Sequence, residues 1–319
     1  MTEHENPRRH VCGYRDRYAD LPVAEFTGEG DPGKLPEAGS VAWRLSAEPY
    51  DAAEGAFAAL FARFLEQVDT SAVRAIVVGG WENPYEVGSE VAIGPLVDNA
   101  GRFPGLRALF VAALQSEECE ISWIQQSDVT PLLKAFPRLE RLEVRGGTEL
   151  EFTAVRHDAL RILRFESGGL PADVVRAVGQ CDLPALEELD LWLGVENYGG
   201  NTAVADLDAI MSGERFPALR HLGVQDSEIQ DEIAAAVASA PVVARLETLS
   251  LSMGTLTDLG AEALLSGQPL THLRELDLHH HFLTDPMIKR IQDALPGVQV
   301  DLSEQEDEED EWRYVAVDE

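Results

Sequence analysis

One apolar pattern recurs along most of the chain. The segments FPGLRALFV, FPRLERLEV, LPALEELDL and FPALRHLGV share the order Leu-x-x-Leu-x-Leu, and ARLETLSL and THLRELDL repeat it without the proline. The first apolar position of each copy falls at Val73, Leu106, Leu139, Leu160, Leu186, Leu219, Leu246 and Leu273. Successive copies are therefore 33, 33, 21, 26, 33, 27 and 27 residues apart. Because one such unit buries too little core to stand alone, neighbouring units must stack.

Each unit combines a short strand with a helix. In LPALEELDLW (183–192), Leu189 and Leu191 point to one side of the strand, whereas Glu188 and Asp190 point to the other. The segments that follow other strands, such as LTDLGAEALLSG and LTDPMIKRIQDAL, carry apolar residues at helical spacing and begin with a Thr-Asp pair suited to an N-cap. The pattern predicts an α/β fold in which a parallel sheet lines the concave face of a horseshoe and helices line the convex face.

These units resemble the leucine-rich-repeat superfamily, and their length of 26–27 residues is similar to the ribonuclease-inhibitor-like type. The resemblance covers roughly 230 of the 319 residues. Two further segments, 121–147 and WRYVAVDE (312–319), resemble an uncharacterised family of bacterial cytosolic leucine-rich-repeat proteins. One departure is that the Asn or Cys that follows the strand in typical repeats is replaced, so a regular asparagine ladder is not expected. A doubly wound sheet is disfavoured because no glycine-rich phosphate loop follows a strand.

Four regions are expected along the chain. Residues 1–40, rich in Gly, Pro and charge, are expected to be poorly ordered, and residues 41–70 to form a strand–helix cap over the open N-terminal end. The repeat array spans residues 71–302. Residues 303–319 form an acidic tail whose segment WRYVAV (312–317) is expected to return as a short strand that covers the last repeat.

Charge restricts the partners. The chain has 25 Lys and Arg against 57 Asp and Glu, a net charge of −32, which disfavours nucleic acid and anionic membrane surfaces. No apolar stretch is long enough to span a bilayer. The three cysteines Cys12, Cys119 and Cys181 are far apart and suggest neither a disulfide framework nor a zinc site, so a cytoplasmic location is expected.

The outward strand positions and the inserted loops are the candidate binding surface. A basic patch of Arg141, Arg145 and Arg164 fits an acidic peptide or this chain's own acidic tail; the alternative is pairing with Glu143 and Glu166 on neighbouring strands. Insertions at 79–96, 115–123 and 193–210 are expected to form a rim, unless Trp81 and Trp123 simply fill irregular packing. The predicted partner-binding residues are Arg141, Arg145, Arg164, Glu166, Trp192, His221, Trp81, Tyr198 and His279.

No catalytic motif is recognisable. The sequence contains no nucleophile elbow, Walker loop or zinc-protease motif, and no cofactor is predicted. The exception worth testing is the run His279–His281 with Asp277 before it, since His and Asp are metal ligands. Strand spacing places His221 about 10 Å from His279, too far to share one ion. The sequence therefore predicts a non-enzymatic protein-binding scaffold, with a metal-dependent or hydrolytic enzyme at Asp277 and His279 as the alternative.

Overall fold

The computed structural model describes residues 16–29, 31–50, 52–307 and 312–319. These residues form one sheet of twelve strands whose spatial order is the order of the chain. The strands are β1 (Arg17–Tyr18), β2 (Leu21–Phe26), β3 (Ala42–Leu45), β4 (Ala75–Val78), β5 (Ala108–Val111), β6 (Arg141–Arg145), β7 (Ile162–Glu166), β8 (Glu188–Gly194), β9 (His221–Ser227), β10 (Thr248–Ser250), β11 (Glu275–Asp277) and β12 (Gln299–Asp301). Every neighbouring pair from β2 to β12 is parallel, and β1 runs antiparallel to β2.

The repeat sets the register of the sheet. The second apolar position of the pattern forms one row of directly paired residues across the strands, which contains Ile76, Leu109, Leu142, Leu163, Leu189, Leu222, Leu249 and Leu276. All of these side chains are buried in one continuous apolar core. A shift of the strand pairing by one residue would move the leucine side chains of that strand to the opposite face of the sheet. The leucine row therefore determines the register.

Helices pack on the side of the sheet to which the leucine row points. They are α1 (Ala56–Gln67), α2 (Glu90–Asp98), α3 (Thr130–Ala135), α4 (Ala172–Gln180), α5 (Asp208–Met211), α6 (Gln230–Val237), α7 (Asp258–Ser266) and α8 (Asp285–Ala294). Short 3-10 turns such as Pro241–Arg245 replace part of the helix in some repeats. The predicted N-caps are confirmed: the Thr257 hydroxyl accepts a hydrogen bond from the Leu259 N–H, and Thr284 accepts one from Met287.

The N-terminal end differs from the expectation. Residues 1–15 lie outside the described part, but the expected poor order is wrong for residues 17–26, which form β1 and β2. Phe26 is buried against Trp43 and Phe64, so an apolar side chain anchors β2 to the cap predicted at 41–70. The strand–helix pair β3–α1 is present, yet β2 covers its outer edge.

The tight hairpin between β1 and β2 turns back over the sheet. Ala19 and Asp20 both adopt positive φ, as a two-residue primed turn requires. Tyr18 is thereby placed 6.0 Å from the Phe110 ring, in a small apolar cluster on the face opposite the helices. Residues 1–40 as a whole are rich in Gly, Pro and charge, but residues 17–26 contain no glycine and carry the apolar side chains that order the hairpin.

The C-terminal segment also differs from the expectation. Residues 312–317 do not form a strand, and residues 308–311, within the acidic run, lie outside the described part. Tyr314 packs beside His280 and Phe282 in the β11 repeat, and the chain then crosses the carboxyl ends of β10 and β9. The segment therefore covers several repeats instead of the last one. In the described residues, no helix is both long and apolar enough to cross a membrane.

Candidate functional site

The face of the sheet opposite the helices is polar from β6 onward. Because side chains alternate along a strand, the residues flanking the leucine row point to this face. We call it the polar face, and it has three rows. The amino row contains Arg141, Ile162, Glu188, His221, Thr248, Glu275 and Gln299; the middle row contains Glu143, Arg164, Asp190, Gly223, Ser250, Asp277 and Asp301; and the carboxyl row contains Arg145, Glu166, Trp192, Gln225, Ser252 and His279.

Buried ion pairs connect the three arginines of the predicted basic patch to carboxylates. Arg145 donates to Glu166 Oε2 from Nε at 2.9 Å and from Nη2 at 2.7 Å, and both side chains are at most 3% exposed. Arg164 donates from Nη2 to Asp190 Oδ2 at 3.0 Å and lies 3.6 Å from Glu166. The remaining arginine, Arg141, pairs with a glutamate two residues along its own strand.

That glutamate, Glu143, is itself buried, which completes the network of three arginines and three carboxylates. Its formal charges cancel, so this part of the polar face is electrostatically neutral. The expectation of a free basic patch is therefore wrong. The alternative of pairing across neighbouring strands is confirmed for Glu166, which Arg145 contacts, whereas Glu143 pairs with Arg141 on its own strand. The physical reason is that parallel strands bring residues 21 and 26 positions apart into contact.

The network continues to β9 through Asp190. His221 Nε2 lies 2.7 Å from Asp190 Oδ1, and His221 Nδ1 lies 2.6 Å from the Thr248 hydroxyl. Gln225 donates to the same Asp190 oxygen at 3.0 Å. Burial by itself would raise the pKa of Asp190, but the charges and hydrogen bonds of His221 and Arg164 hold it well below the usual value. Asp190 is therefore a fixed anion at the centre of the face.

Two predicted tryptophan anchors are buried instead of exposed. Trp81 is 0% exposed and donates from its indole to the Val87 carbonyl at 2.7 Å, inside its own loop. Trp192 is 5% exposed and packs with Ile121 and Met253. Neither ring can contact a partner in this conformation, because Trp81 is enclosed in its own inserted loop and Trp192 is covered by Ile121, Met253 and Val317. Trp123, which the alternative placed in such packing, is 48% exposed.

Burial also excludes Arg145 as a residue that contacts a partner in this conformation. At 1% exposure it cannot serve as an accessible anchor, and its guanidinium also donates to the carbonyl of Leu114. Its guanidinium carbon lies 5.5 Å from the centre of the Phe110 ring. Arg145 thus holds neighbouring strands together. Arg141 is more accessible, with 28% of its side chain exposed, and it lies over the Tyr18 ring at 5.2 Å.

The histidine run separates into three environments. His279 Nδ1 lies 2.8 Å from Asp277 Oδ1, whereas His280 Nε2 contacts the Tyr314 carbonyl at 3.1 Å and His281 Nε2 contacts the Leu302 carbonyl at 3.2 Å. Asp277, His279 and Asp301 place their ligand atoms within 4.8 Å of one another. The sequence located the first two of these residues but not Asp301, which the β11–β12 pairing supplies.

A cleft at the amino ends of the strands was not foreseen. It has a volume of about 600 Å³ and combines both signs of charge. Arg161 pairs with Glu187 and Arg107 lies 3.3 Å from Glu140, with side chains between 29% and 52% exposed. The lining residues are Ala19, Asp20, Arg74, Gly105, Arg107, Ala108, Glu140, Arg141, Arg161, Ile162, Glu187 and Glu188. Only a comparison of equivalent positions between repeats could have suggested the cleft, since most of its arginines and glutamates lie one residue before the start of a strand.

The C-terminal segment lies just beyond the carboxyl row. The Ala316 N–H donates to the Met253 carbonyl at 2.8 Å and the Val317 N–H donates to Asp226 Oδ1 at 3.0 Å. The Val317 side chain packs against the cluster that contains Trp192. Beyond it, the Ser122 hydroxyl donates to the Asp318 carbonyl. The loop residue Tyr198, predicted to bind a partner, donates from its hydroxyl to the Glu319 side chain.

Comparison with known proteins gives a structural relative. No protein-family model matches the chain, and no curated protein matches it. Among solved structures, 39 chains are similar. One is a crystal structure of a Bacteroides fragilis protein from a structural genomics consortium, with 30% sequence identity and a TM-score of 0.78. The match covers 87% of this chain and 78% of that one, so the likeness includes most of both molecules.

Proposed function

We propose that this chain, which belongs to the same family as the Bacteroides fragilis protein, is a non-enzymatic scaffold that binds another protein. The observation that carries the proposal is the cleft at the amino ends of the strands, where accessible side chains of both charges lie on a rigid sheet. Arginine is enriched at protein interfaces, and side chains that ion pairs already hold lose less conformational freedom on binding. A partner with complementary charges fits this cleft.

We further propose that the array is a leucine-rich-repeat solenoid of the ribonuclease-inhibitor-like type with the sheet on its concave side. Three features support this: the in-register leucine row, the 27-residue spacing of the last repeats, and helices on one face that are bulkier than the strands. A reducing, cytoplasmic location is part of the proposal, and the buried free thiols of Cys119 and Cys181 support it.

Affinity capture with charge-reversed variants tests the binding proposal. Arg107→Glu/Arg161→Glu reverses two accessible arginines of the cleft, and Arg176→Glu/Arg290→Glu makes the same change on the helix side, where both arginines are also ion-paired. We expect the wild type and the helix-side variant to retain one protein that the cleft variant loses. Equal retention by the cleft variant, or no retained protein at all, would show that the cleft is not the binding site.

A second candidate is a metal-dependent activity at the trio Asp277, His279 and Asp301. Imidazole and carboxylate are ligands that Zn²⁺ accepts. The present 2.8 Å between His279 Nδ1 and Asp277 Oδ1 is slightly less than the ~3.3 Å that separates two ligands of a tetrahedral ion bound at about 2.0 Å. Binding therefore requires the three ligand atoms, which now lie within 4.8 Å of one another, to move to about this spacing.

Calorimetric titration with Zn²⁺ tests the metal candidate. We expect one ion to bind the wild type and Asp301→Asn to weaken binding at least ten-fold. Asp293→Asn, which alters an exposed helix carboxylate, is the matched control. Identical titrations of the three proteins would contradict a site at the trio.

A further inference from the structure

The C-terminal segment follows a repeated feature of the fold. Asp226, Met253 and His280 are 27 residues apart, each lies four residues after the leucine row, and all three have positive φ between 54° and 65°. Positive φ is uncommon for residues other than glycine, so this conformation marks an equivalent point at or just beyond the carboxyl ends of three successive strands. The segment makes a hydrogen bond to each of these three residues in turn.

The spacing of these contacts requires an extended chain. Asp318 lies four positions after Tyr314, and four steps of about 3.3 Å span about 13 Å in an extended chain. Within that length the segment passes from the β11 repeat across β10 and β9, which are about 4.8 Å apart. Val315 is 3% exposed and Val317 is half-buried, whereas Ala316 between them is exposed. The segment therefore presents alternate apolar side chains to the sheet, as a bound peptide does.

The sheet is shaped to admit this peptide. Gly168 lies directly under it, and a Cβ atom built there would overlap the Asp318 carbonyl and the Ser122 hydroxyl, although its backbone conformation suits other residues. Asp226 is 0% exposed, and its Oδ2 atom has no hydrogen-bond partner among the described residues. Its Oδ1 atom accepts the Val317 N–H, so without the segment neither oxygen of this buried carboxyl group would have a partner among the described residues. Because a buried carboxyl group without partners is costly, the contact with the segment accounts for its position.

We propose that the groove formed by Ser122, Gly168, Trp192, Asp226 and Met253 is a peptide-binding site, and that the chain's own C-terminal segment is its resident occupant. The external ligand is an extended segment of a partner protein with apolar residues at alternate positions followed by acidic residues. The proposal goes beyond the proposed function, because it adds a second binding site with its own class of ligand and a competing occupant in the same chain. It concerns the carboxyl ends of the strands, whereas the proposed cleft lies at their amino ends.

A tethered occupant competes strongly with an external peptide. Short tethers give an effective concentration on the order of millimolar. A peptide of equal intrinsic affinity must therefore bind the wild type far more weakly than a chain whose segment has been released. Val315→Asp/Val317→Asp in the full chain places two charges in the apolar contacts and should release the segment without altering the groove.

The probe is a fluorescent synthetic peptide WRYVAVDE, the sequence of residues 312–319, and the readout is anisotropy. We expect it to bind the Val315→Asp/Val317→Asp chain at least ten-fold more tightly than the wild type. Adding Gly168→Ala should abolish that gain, whereas Gly297→Ala, whose added Cβ meets open space, should leave it. A peptide that carries aspartate at both valine positions should not bind.

Release of the segment is measured separately. Carboxypeptidase should remove the last residues of the released variant and spare those of the wild type, with intact mass as the readout. The proposal is overturned if the released variant binds the peptide no better than the wild type, or if its C-terminus stays protected. It is also overturned if the wild type is a dimer that the two valine substitutions dissociate, since the occupant is then a second copy. Loss of peptide binding leaves the charge-reversal result at the amino-end cleft unaffected, so the two proposals fail independently.

Discussion

Arg164→Met tests whether the polar face is held together by a compensated network of buried charges. Methionine keeps most of the side-chain length but removes the guanidinium that contacts Asp190 at 3.0 Å and Glu166 at 3.6 Å. The three side chains are between 3% and 11% exposed, so water cannot replace the lost contacts without rearrangement. Two carboxylates would then remain buried with one arginine fewer to balance them.

Removing one partner of a buried pair costs about 3–5 kcal/mol. For a chain of this length, about 2 °C of melting temperature is lost per kcal/mol, so the midpoint should fall by about 6–10 °C. Arg161→Met, three residues earlier, removes an arginine whose side chain is 52% exposed and should cost less than about 1 kcal/mol. Asp190→Asn in the Arg164→Met background should recover part of the loss, because it removes one uncompensated charge.

Thermal and urea unfolding of these variants at several pH values test whether the buried charge network stabilises the fold. The charges of Arg164 and His221 keep the pKa of Asp190 below its usual value, so their stabilisation is present above the unfolded pKa of about 3.9 and is lost as the pH falls through the folded value. The gap between wild type and Arg164→Met should therefore narrow below about pH 4. If Arg164→Met costs no more than Arg161→Met at pH 7, the reasoning about a buried network is refuted.

Three other perturbations have defined outcomes. Gly146→Ala should lower the unfolding free energy by about 1–3 kcal/mol, since φ is +97° and the new Cβ would lie 2.8 Å from Ile124; Gly297→Ala should change it little, and equal urea midpoints would contradict this. Burial and the Asp318 charge raise the pKa of Asp226 above its unfolded value. The ionised carboxylate is therefore unfavourable in the folded protein, and the contribution of Asp226 to stability is lowest above its folded pKa. Stability should therefore fall with rising pH more steeply in wild type than in Asp226→Asn, and parallel profiles would argue against it. Burial raises the pKa of Cys119 to about 12, so in a Cys12→Ser background Ellman's reagent should label it only after denaturant is added; rapid labelling of the native protein would disprove its protection.

The main elements of the fold were predictable because each repeat carries its own signals. The leucine row identifies the strands, and the Thr-Asp pairs identify the start of α7 and α8. Such features depend on neighbours within about 30 residues, which is the range that sequence periodicity reports. The N-terminal hairpin was missed because its short apolar stretch, LPVAEF, lies in a 40-residue region that is otherwise rich in Gly, Pro and charge.

The candidate site was less predictable because it depends on which residues pair. Sequence placed Arg141, Arg145 and Arg164 correctly on one face, but their charges alone indicated a basic patch. Whether each arginine is free or paired depends on carboxylates two to twenty-six residues away. The sequence likewise placed Trp192 on the correct face but did not show that it is buried. Val317, which packs against its cluster, lies far along the chain.

The sequence by itself determined the repeating unit, the register of the strands and the side of the sheet on which each residue lies, because these follow from local periodicity. Tertiary structure alone decided that the arginines are neutralised, that Asp301 joins Asp277 and His279, and that residues 314–319 cross the carboxyl ends of the strands. Those contacts join residues as much as 196 positions apart, as with Ser122 and Asp318. They form only after the stacked repeats bring distant residues to one face, and no local pattern encodes that proximity.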